Sequence, residues 1–428
     1  MISEKRVMLL FLSPSPPVSP SIMFSAWTKN LYYGSFGIIG AILAATRFVI
    51  IPANVQMPLL TAAILFIGSH QSLKLSELDA VTGKRASEGE AISKKDAMMF
   101  PLFGSLALVS LYVAYKFIGK EYMNMLLTSY IMLAGVSAVA QTLEPFFNPM
   151  FPQSFREKKH MIHFKVPSVI RKLVLEEKVG DEFRLHFSKQ DVVVHLIGLV
   201  LAIAFLKTKD FTIHNLFGIC FSIQAIRLVS LGQFLNAFIL LWGLFVYDVF
   251  WVFGTDVMVT VALSFEAPAK LIFPQSFEPW KQGILGLGDI VIPGIFVALC
   301  LRFDDLLHKK SMKKPQHRKG INIFESFPKP FFYTVIVNYL FGLGATAVAM
   351  HYMKTAQPAL LYLVPFTTVS VALLAVAKGS IKEMFAYKED EETKKDDPKS
   401  PRGKATAADA EPTRRSPRQA SRDNKKSK

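Results

Sequence analysis

Two aspartates lie inside long apolar segments, where ionisable side chains are uncommon. Asp248 lies in the segment Leu244–Phe253, and Asp289 lies in the segment Leu285–Pro293. An aspartate near the centre of a membrane-spanning helix costs roughly 2.5–3.5 kcal/mol, so such residues usually serve a function. Two carboxyl groups that share one proton away from water can act together, one deprotonating a water molecule and the other protonating a carbonyl oxygen. The pair therefore predicts acid–base hydrolysis of a peptide bond.

The positions of the two aspartates predict a similar depth in a membrane. Asp248 precedes the end of its apolar run at Phe253 by five residues, and Asp289 follows the start of the next run at Ile284 by five residues. At about 1.5 Å per residue, each carboxyl group is about 8 Å from the end that the two runs share. Consecutive spans are antiparallel and usually adjacent, so we expect the two carboxyl groups to face each other.

Small residues and prolines accompany the aspartates. Gly286 and Gly288 remove side chains beside Asp289, which leaves room for another backbone to approach. Before the last apolar run, Pro358 suits a first helical turn and Ala359 permits close packing of a neighbouring helix. Taken alone, this later segment is typical of an ordinary proline-kinked membrane helix.

Other functions use membrane-buried acids as well. A proton-coupled transporter places such acids along an ion pathway, and a structural acid would pair with a cation such as Arg227. A protein that binds membrane spans as a chaperone, without cutting them, is a third class. The transporter hypothesis predicts solute flux, and the chaperone hypothesis predicts that loss of the carboxyl groups leaves partner binding intact.

The composition indicates a membrane protein. The chain has 428 residues, of which 51% are hydrophobic and 19% are charged, and its mean hydropathy is +0.32. About a quarter of the residues of a soluble domain are charged. Cys220 and Cys300 are too few for a disulfide framework or a multi-cysteine metal site. The net charge of +16 comes from the connections and the tail, a pattern of membrane topology and not of a nucleic-acid-binding surface.

Ten apolar runs approach the roughly 20 residues that a spanning helix needs. They are too long and continuous for alternating barrel strands, so they predict an all-α, polytopic transmembrane helix bundle. The first two runs are interrupted by polar residues and proline, which leaves nine or ten spans. The chain is divided into a disordered leader (1–30), a transmembrane domain (31–386) and a disordered, charged cytoplasmic tail (387–428). The runs are 31–51, 57–74, 100–118, 123–143, 192–206, 211–230, 233–253, 284–301, 331–353 and 358–377.

The charges of the connections predict the orientation. Connection 302–330 has eight lysines and arginines against three acids, and connection 147–191 has nine against six. Connection 254–283 has two against three. Because basic connections stay in the cytoplasm, the C-terminus is predicted to be cytoplasmic as well. Lys425 and Lys426 are the fourth and third residues from the end, as in a dilysine signal for retrieval to the endoplasmic reticulum.

Three short segments together resemble the motifs of a known family. Tyr247-Asp248, Gly286-Leu-Gly-Asp289 and Pro358-Ala-Leu360 are similar, in this order, to the Y-D, G-x-G-D and P-A-L motifs of intramembrane aspartyl proteases. The segments 247–255, 264–268, 285–296 and 357–365 most resemble the signal peptide peptidase family, which is related to presenilin. The resemblance covers residues from about 98 to 387.

This resemblance implies an aspartic endopeptidase of the endoplasmic reticulum membrane, with Asp248 and Asp289 as its catalytic residues. The implied substrates are remnant signal peptides and other membrane spans in type II orientation, and the family needs no metal or cofactor. Homo-oligomers and quality-control partners of the endoplasmic reticulum are left open, and no nucleic acid is expected. The residues expected to contact substrate are Tyr247, Gly286, Gly288, Gln357, Pro358, Ala359 and Leu360.

Overall fold

The computed structural model describes the greater part of the apolar runs and several of their connections. The described residues are 20–73, 92–147, 150–152, 155, 160–165, 182–255, 257–278, 280–311, 327–354 and 357–389. Residues 1–19 of the predicted leader, most of the tail, and Lys425 and Lys426 lie outside this part. Much of the basic connection 302–330 lies outside it too.

Each of the ten apolar runs overlaps a long helix, which confirms the all-α polytopic fold. Seven of these helices, α3 to α7, α10 and α11, are long and apolar enough to cross a membrane. In lipid, a helix satisfies all its own backbone hydrogen bonds, so a long apolar run is expected to be helical. The long helices are α1 (Pro20–Ala45), α2 (Ala53–Ser72), α3 (Lys94–Ile118), α4 (Lys120–Phe147), α5 (Lys189–Thr208), α6 (Phe211–Leu228), α7 (Phe234–Phe253), α9 (Leu287–Ser311), α10 (Pro330–Met353) and α11 (Leu360–Ala377).

Polar caps explain where several helices begin. Ser93 and Asp96 form a capping box at the start of α3, and Ser188 and Asp191 form another at the start of α5. The Asp210 carboxylate accepts hydrogen bonds from the first amides of α6. Such caps satisfy backbone N–H groups that have no partner within the helix.

Four short strands and two short helices complete the described elements. Strands β1 (His160–Lys165) and β2 (Glu182–Phe187) form one antiparallel pair. Strands β3 (Lys270–Phe277) and β4 (Trp280–Gly286) form a second, with a register shift between Pro274 and Ser276. The short helices are α8 (Val257–Ser264), before β3, and α12 (Ile381–Ala386), after α11.

Several predicted boundaries differ from the structure. Helix α1 already includes residues 20–30, of which Lys29 is the one charged residue, and it ends at Ala45 and not at residue 51. The run expected to be helical from residue 284 starts as strand β4 and becomes helical at Leu287. Glu389, beyond the predicted start of the tail, still contacts the bundle: its carboxylate accepts a 2.6 Å hydrogen bond from Arg302 Nε.

The main core combines helices from both ends of the chain. It contains buried side chains of α1, α2, α6, α7, α9, α10 and α11. Helix α2, one of the two least certain runs in the sequence, is buried almost continuously over its second half and packs between α1, α6 and α9. By contrast, α3 exposes Leu102, Phe103 and Leu106, as expected for a helix that faces lipid. Helix α9, which carries Asp289, is buried over most of its length, whereas α7, which carries Asp248, has both buried and exposed positions.

Candidate active site

Asp248 is buried on α7 and is fixed by the start of α11. The carboxylate is 4% exposed, and its Oδ2 accepts a 3.0 Å hydrogen bond from the backbone N–H of Leu360. Leu360 is the first residue of α11, so this N–H has no partner within its own helix. A helix N-terminus also carries partial positive charge, which favours a neighbouring carboxylate.

Asp289 lies in the first turn of α9, immediately after strand β4. The helix begins at Leu287, so Asp289 is its third residue and lies nearer the helix start than the sequence predicted. Its side chain points back toward Gly286: a Cβ atom built on Gly286 would lie 3.2 Å from Asp289 Oδ2. Glycine at position 286 therefore makes room for the carboxyl group itself.

The fold brings the two aspartates together through a third element. The two carboxyl groups are near enough to interact electrostatically. Helix α7 packs more extensively against α3 and α11 than against α9, so the contact between α7 and α9 does not set the arrangement alone. The start of α11 contacts Asp248, and the hydroxyl group of Tyr339 on α10 donates a 3.2 Å hydrogen bond to the backbone carbonyl of Asp289.

Helices α10 and α11 pack closely enough to act as one support for both aspartates. A Cβ atom built on Gly342 of α10 would lie 3.1 Å from Leu363 Cα of α11. Gly342 is one turn from Tyr339, and Leu363 is one turn from Leu360. We call α10 and α11 together the support pair.

The predicted substrate-contacting residues occupy different environments. Pro358 and Ala359 are buried beside Leu360, next to Asp248. Gly288 is exposed, and a Cβ atom there would meet only Ile292 Cδ1, at 3.9 Å. Gln357 is half-buried, and its Oε1 accepts a 3.4 Å hydrogen bond from the Tyr362 hydroxyl.

Tyr247 is directed toward α3. A Cβ atom built on Gly104 would lie 3.5 Å from its ring, and the ring is half-buried. Its contact with substrate stays a prediction. Arg227, considered as a partner of a structural acid, instead donates from Nη1 to Gln224 Oε1 at 3.2 Å.

Strand β3 is attached to α6 by side chains that the sequence interpretation missed. Asn215 Nδ2 donates to the carbonyl of Ile272 at 2.7 Å, and its Oδ1 accepts from the N–H of Ile272 at 2.8 Å. His214 Nε2 lies 3.0 Å from the carbonyl of Lys270. The two residues are adjacent polar residues in a run that also contains Gln224 and Arg227, so the sequence alone does not single them out.

The hydrogen bonds of Asn215 also define the outer edge of β4. Because Ile272 points its backbone groups toward α6, its antiparallel partner Ile284 points its own N–H and carbonyl away from β3. Gly286, two residues further on, does the same. In the described part of the chain, the backbone groups of Ile284 and Gly286 have no strand partner on this edge. The edge leads directly to Asp289.

Among the described residues, no group of three or more histidine, cysteine, aspartate or glutamate side chains is suited to hold a metal ion.

Comparison with known proteins adds an independent finding. A family model described as signal peptide peptidase matches residues 84–391. The chain is 42% identical to the human protein named signal peptide peptidase over 331 residues, which is 76% of this chain and 80% of that protein. It is 30% identical to a probable intramembrane protease of Schizosaccharomyces pombe over 310 residues, 72% of this chain and 88% of that protein. The matched family region contains both aspartates and begins after α1 and α2.

Proposed function

The chain belongs to the signal peptide peptidase family of intramembrane proteases, and we propose that Asp248 and Asp289 are the two catalytic residues of an aspartic endopeptidase. The observation that carries this proposal is the hydrogen bond from Leu360 N–H to Asp248 Oδ2. It joins Asp248 to the Pro358–Leu360 segment, and Asp289 lies within electrostatic reach of the same carboxylate.

The proposed reaction uses the two carboxyl groups in turn. One carboxylate removes a proton from a water molecule, which attacks the carbonyl carbon of the scissile bond. The other, protonated, donates its proton to the carbonyl oxygen to give the tetrahedral intermediate. The first carboxyl group then passes the proton taken from water to the leaving nitrogen, while the second regains a proton from a hydroxyl group of the intermediate, so that the C–N bond breaks to a carboxylic acid and an amine. The backbone N–H of Leu360 holds Asp248 in a fixed orientation through both steps.

A peptide bond inside a regular helix is shielded from such attack, so the substrate must become extended near the aspartates. The free edge of β4 supports a way to do this. A substrate strand that pairs with the backbone groups of Ile284 and Gly286, five and three residues before Asp289, would be held extended beside the aspartates. Pro358 and Ala359, on the Asp248 side, would limit how the strand lies across the site.

The substrate class follows from the names of the relatives and from the sequence. We propose that the chain cleaves remnant signal peptides and other type II-oriented membrane spans in the membrane of the endoplasmic reticulum. The basic connections favour a cytoplasmic C-terminus, where Lys425 and Lys426 would act as a retrieval signal.

The test uses purified protein in liposomes with a labelled signal peptide. Wild-type protein is expected to cut the peptide, and a hydroxyl-bearing peptide isostere is expected to block the cut. Asp248→Asn and Asp289→Asn should each abolish cleavage while the variants insert normally, because each removes one half of the acid–base pair. Tyr352→Phe, a change of an exposed residue at the far end of α10, is the matched control.

The alternatives give different results in the same experiment. Full cleavage by either asparagine variant would refute the catalytic assignment. Binding of the peptide by folded wild-type protein without cleavage would indicate a chaperone, and solute flux that the isostere does not affect would indicate a transporter.

A further inference from the structure

Helix α9 lacks one of its backbone hydrogen bonds, the one that the carbonyl of Asp289 would accept. In a regular α-helix, the carbonyl of residue 289 accepts from the N–H of residue 293. Position 293 is a proline, which has no N–H and whose ring presses against the carbonyl four residues earlier. The carbonyl of Asp289 is therefore left without its helical partner, in a part of the bundle where an unpaired backbone group is unfavourable.

Tyr339 fills this gap from the neighbouring helix. Its hydroxyl group donates a 3.2 Å hydrogen bond to the carbonyl of Asp289. The side chain is fully buried, and it is one of the largest fully buried side chains of the described part of the chain. One turn further along α10, Gly342 packs against the backbone of α11, so α11 restrains the segment of α10 that carries Tyr339.

Proline also changes how the first turn of α9 is connected to the rest of that helix. One backbone hydrogen bond of the helix is missing here. The first turn, which contains Leu287, Gly288 and Asp289, is therefore coupled less tightly to the part of the helix after Pro293. The same turn continues directly from β4. Without another contact, the carboxyl group of Asp289 would move with the β3–β4 pair and not with the bundle.

We propose that Tyr339 is a positioning residue, whose hydroxyl group replaces the hydrogen bond that Pro293 removes and so holds the turn of Asp289 against α10. This rests on the proposed catalytic function of Asp289. Packing alone does not require the hydroxyl group of Tyr339, because phenylalanine would fill the same space.

The first experiment compares Tyr339→Phe with Tyr352→Phe in the liposome assay. Tyr339→Phe removes only the hydroxyl group, and the loss of one buried hydrogen bond corresponds to a decrease in kcat of about five- to tenfold. We expect KM to change less than twofold, since the residue orients Asp289 and does not contact substrate. The pH profile of kcat should also shift, because the spacing of the two carboxyl groups changes. Tyr352→Phe should change none of these.

The second experiment asks whether the hydroxyl group acts through the gap at Pro293. Pro293→Ala restores the N–H of residue 293 and with it a helical partner for Asp289. In this background, Tyr339→Phe is expected to reduce kcat less than twofold. Binding of the peptide isostere is measured in the wild-type protein, the two single variants Tyr339→Phe and Pro293→Ala, and the double variant. The affinity should follow the same pattern, with the largest loss in the single variant Tyr339→Phe.

Each outcome decides the proposal. If Tyr339→Phe has the kcat, pH profile and isostere affinity of Tyr352→Phe, the proposal is refuted, and so it is if the loss is equal in both Pro293 backgrounds. If Pro293→Ala does not insert, the comparison of the two tyrosine variants decides alone. Activity of Asp289→Asn in the same assay would instead refute the catalytic assignment, which separates the two failures.

Discussion

The two glycines before Asp289 allow a sharp test of what positions its carboxyl group. A Cβ atom at Gly286 would lie 3.2 Å from Asp289 Oδ2, closer than ordinary contact, whereas at Gly288 the nearest atom is Ile292 Cδ1 at 3.9 Å. Alanine at 286 therefore has to displace the carboxyl group by a few tenths of an ångström, and alanine at 288 displaces nothing. The two substitutions add the same methyl group two residues apart.

The expected size of the effect follows from the displacement. Turning a side chain about 30° away from its preferred rotamer costs about 0.5–1.5 kcal/mol. At about 1.4 kcal/mol per factor of ten, this is a loss of roughly two- to twelvefold in kcat. A full 1 Å misplacement would cost about a hundredfold, so a displacement of tenths of an ångström is consistent with the lower range. Gly288→Ala should keep kcat within about twofold.

The assay is steady-state cleavage of a labelled signal peptide by purified protein in liposomes, with kcat and KM determined separately. Gly286→Ala should lower kcat, while Gly288→Ala, at an exposed position, should affect at most KM. Thermal unfolding of each variant checks that both fold. Wild-type kcat in Gly286→Ala, or an equal loss of kcat in both variants, would refute the reasoning that the glycine at 286 makes room for the carboxyl group.

Two further predictions concern elements that support the site. Asn215→Leu should leave both backbone groups of Ile272 unpaired and, by displacing the β3–β4 pair, lower the cleavage rate at least about tenfold. Asn338→Leu loses only a hydrogen bond within α10 and should not lower the rate. Equal activity in the two variants would contradict this prediction. Burial lowers the pKa of Lys329 to about 8, although Asp304 and Asp305 act in the opposite direction. The pKa of a lysine in the unfolded chain is about 10.4, so between about pH 8 and pH 10.4 the unfolded chain binds more protons than the folded protein. The free energy of unfolding of the wild-type protein should therefore rise with pH in this range, by at most about 3 kcal/mol relative to Lys329→Met. Identical slopes of melting temperature against pH in the two proteins would exclude this role of Lys329.

The helices of this fold could be predicted because lipid leaves few choices for the backbone. Each long apolar run is helical, including the short and interrupted run that became α2. The strand from Trp280 to Gly286 could not be predicted in the same way. Its last three residues, Ile284 to Gly286, begin the apolar run that continues into α9, and what makes the segment a strand is its pairing with β3, a contact that no local pattern records.

The site shows the same division between local and distant information. The aspartates, the glycines and the Pro358–Leu360 segment were predicted from their order in the sequence, and their catalytic roles stay predictions. Pro293, four residues after Asp289, was visible as a missing N–H donor. That Tyr339 supplies the replacement could not be predicted, because it depends on how α10 is rotated against α9.

The support pair has a consequence for how this molecule could be controlled. The support pair contains neither aspartate, yet it contacts both. Leu360 of α11 donates a hydrogen bond to Asp248, and Tyr339 of α10 donates one to the carbonyl of Asp289, so the distance between the two carboxyl groups depends on these two helices. A molecule wedged against the outer surface of α10 or α11 would therefore change the gap between the acids without entering the cleft between them. Ligands that compete with substrate and ligands that change the distance between the two carboxyl groups would then bind at separate sites on one protein.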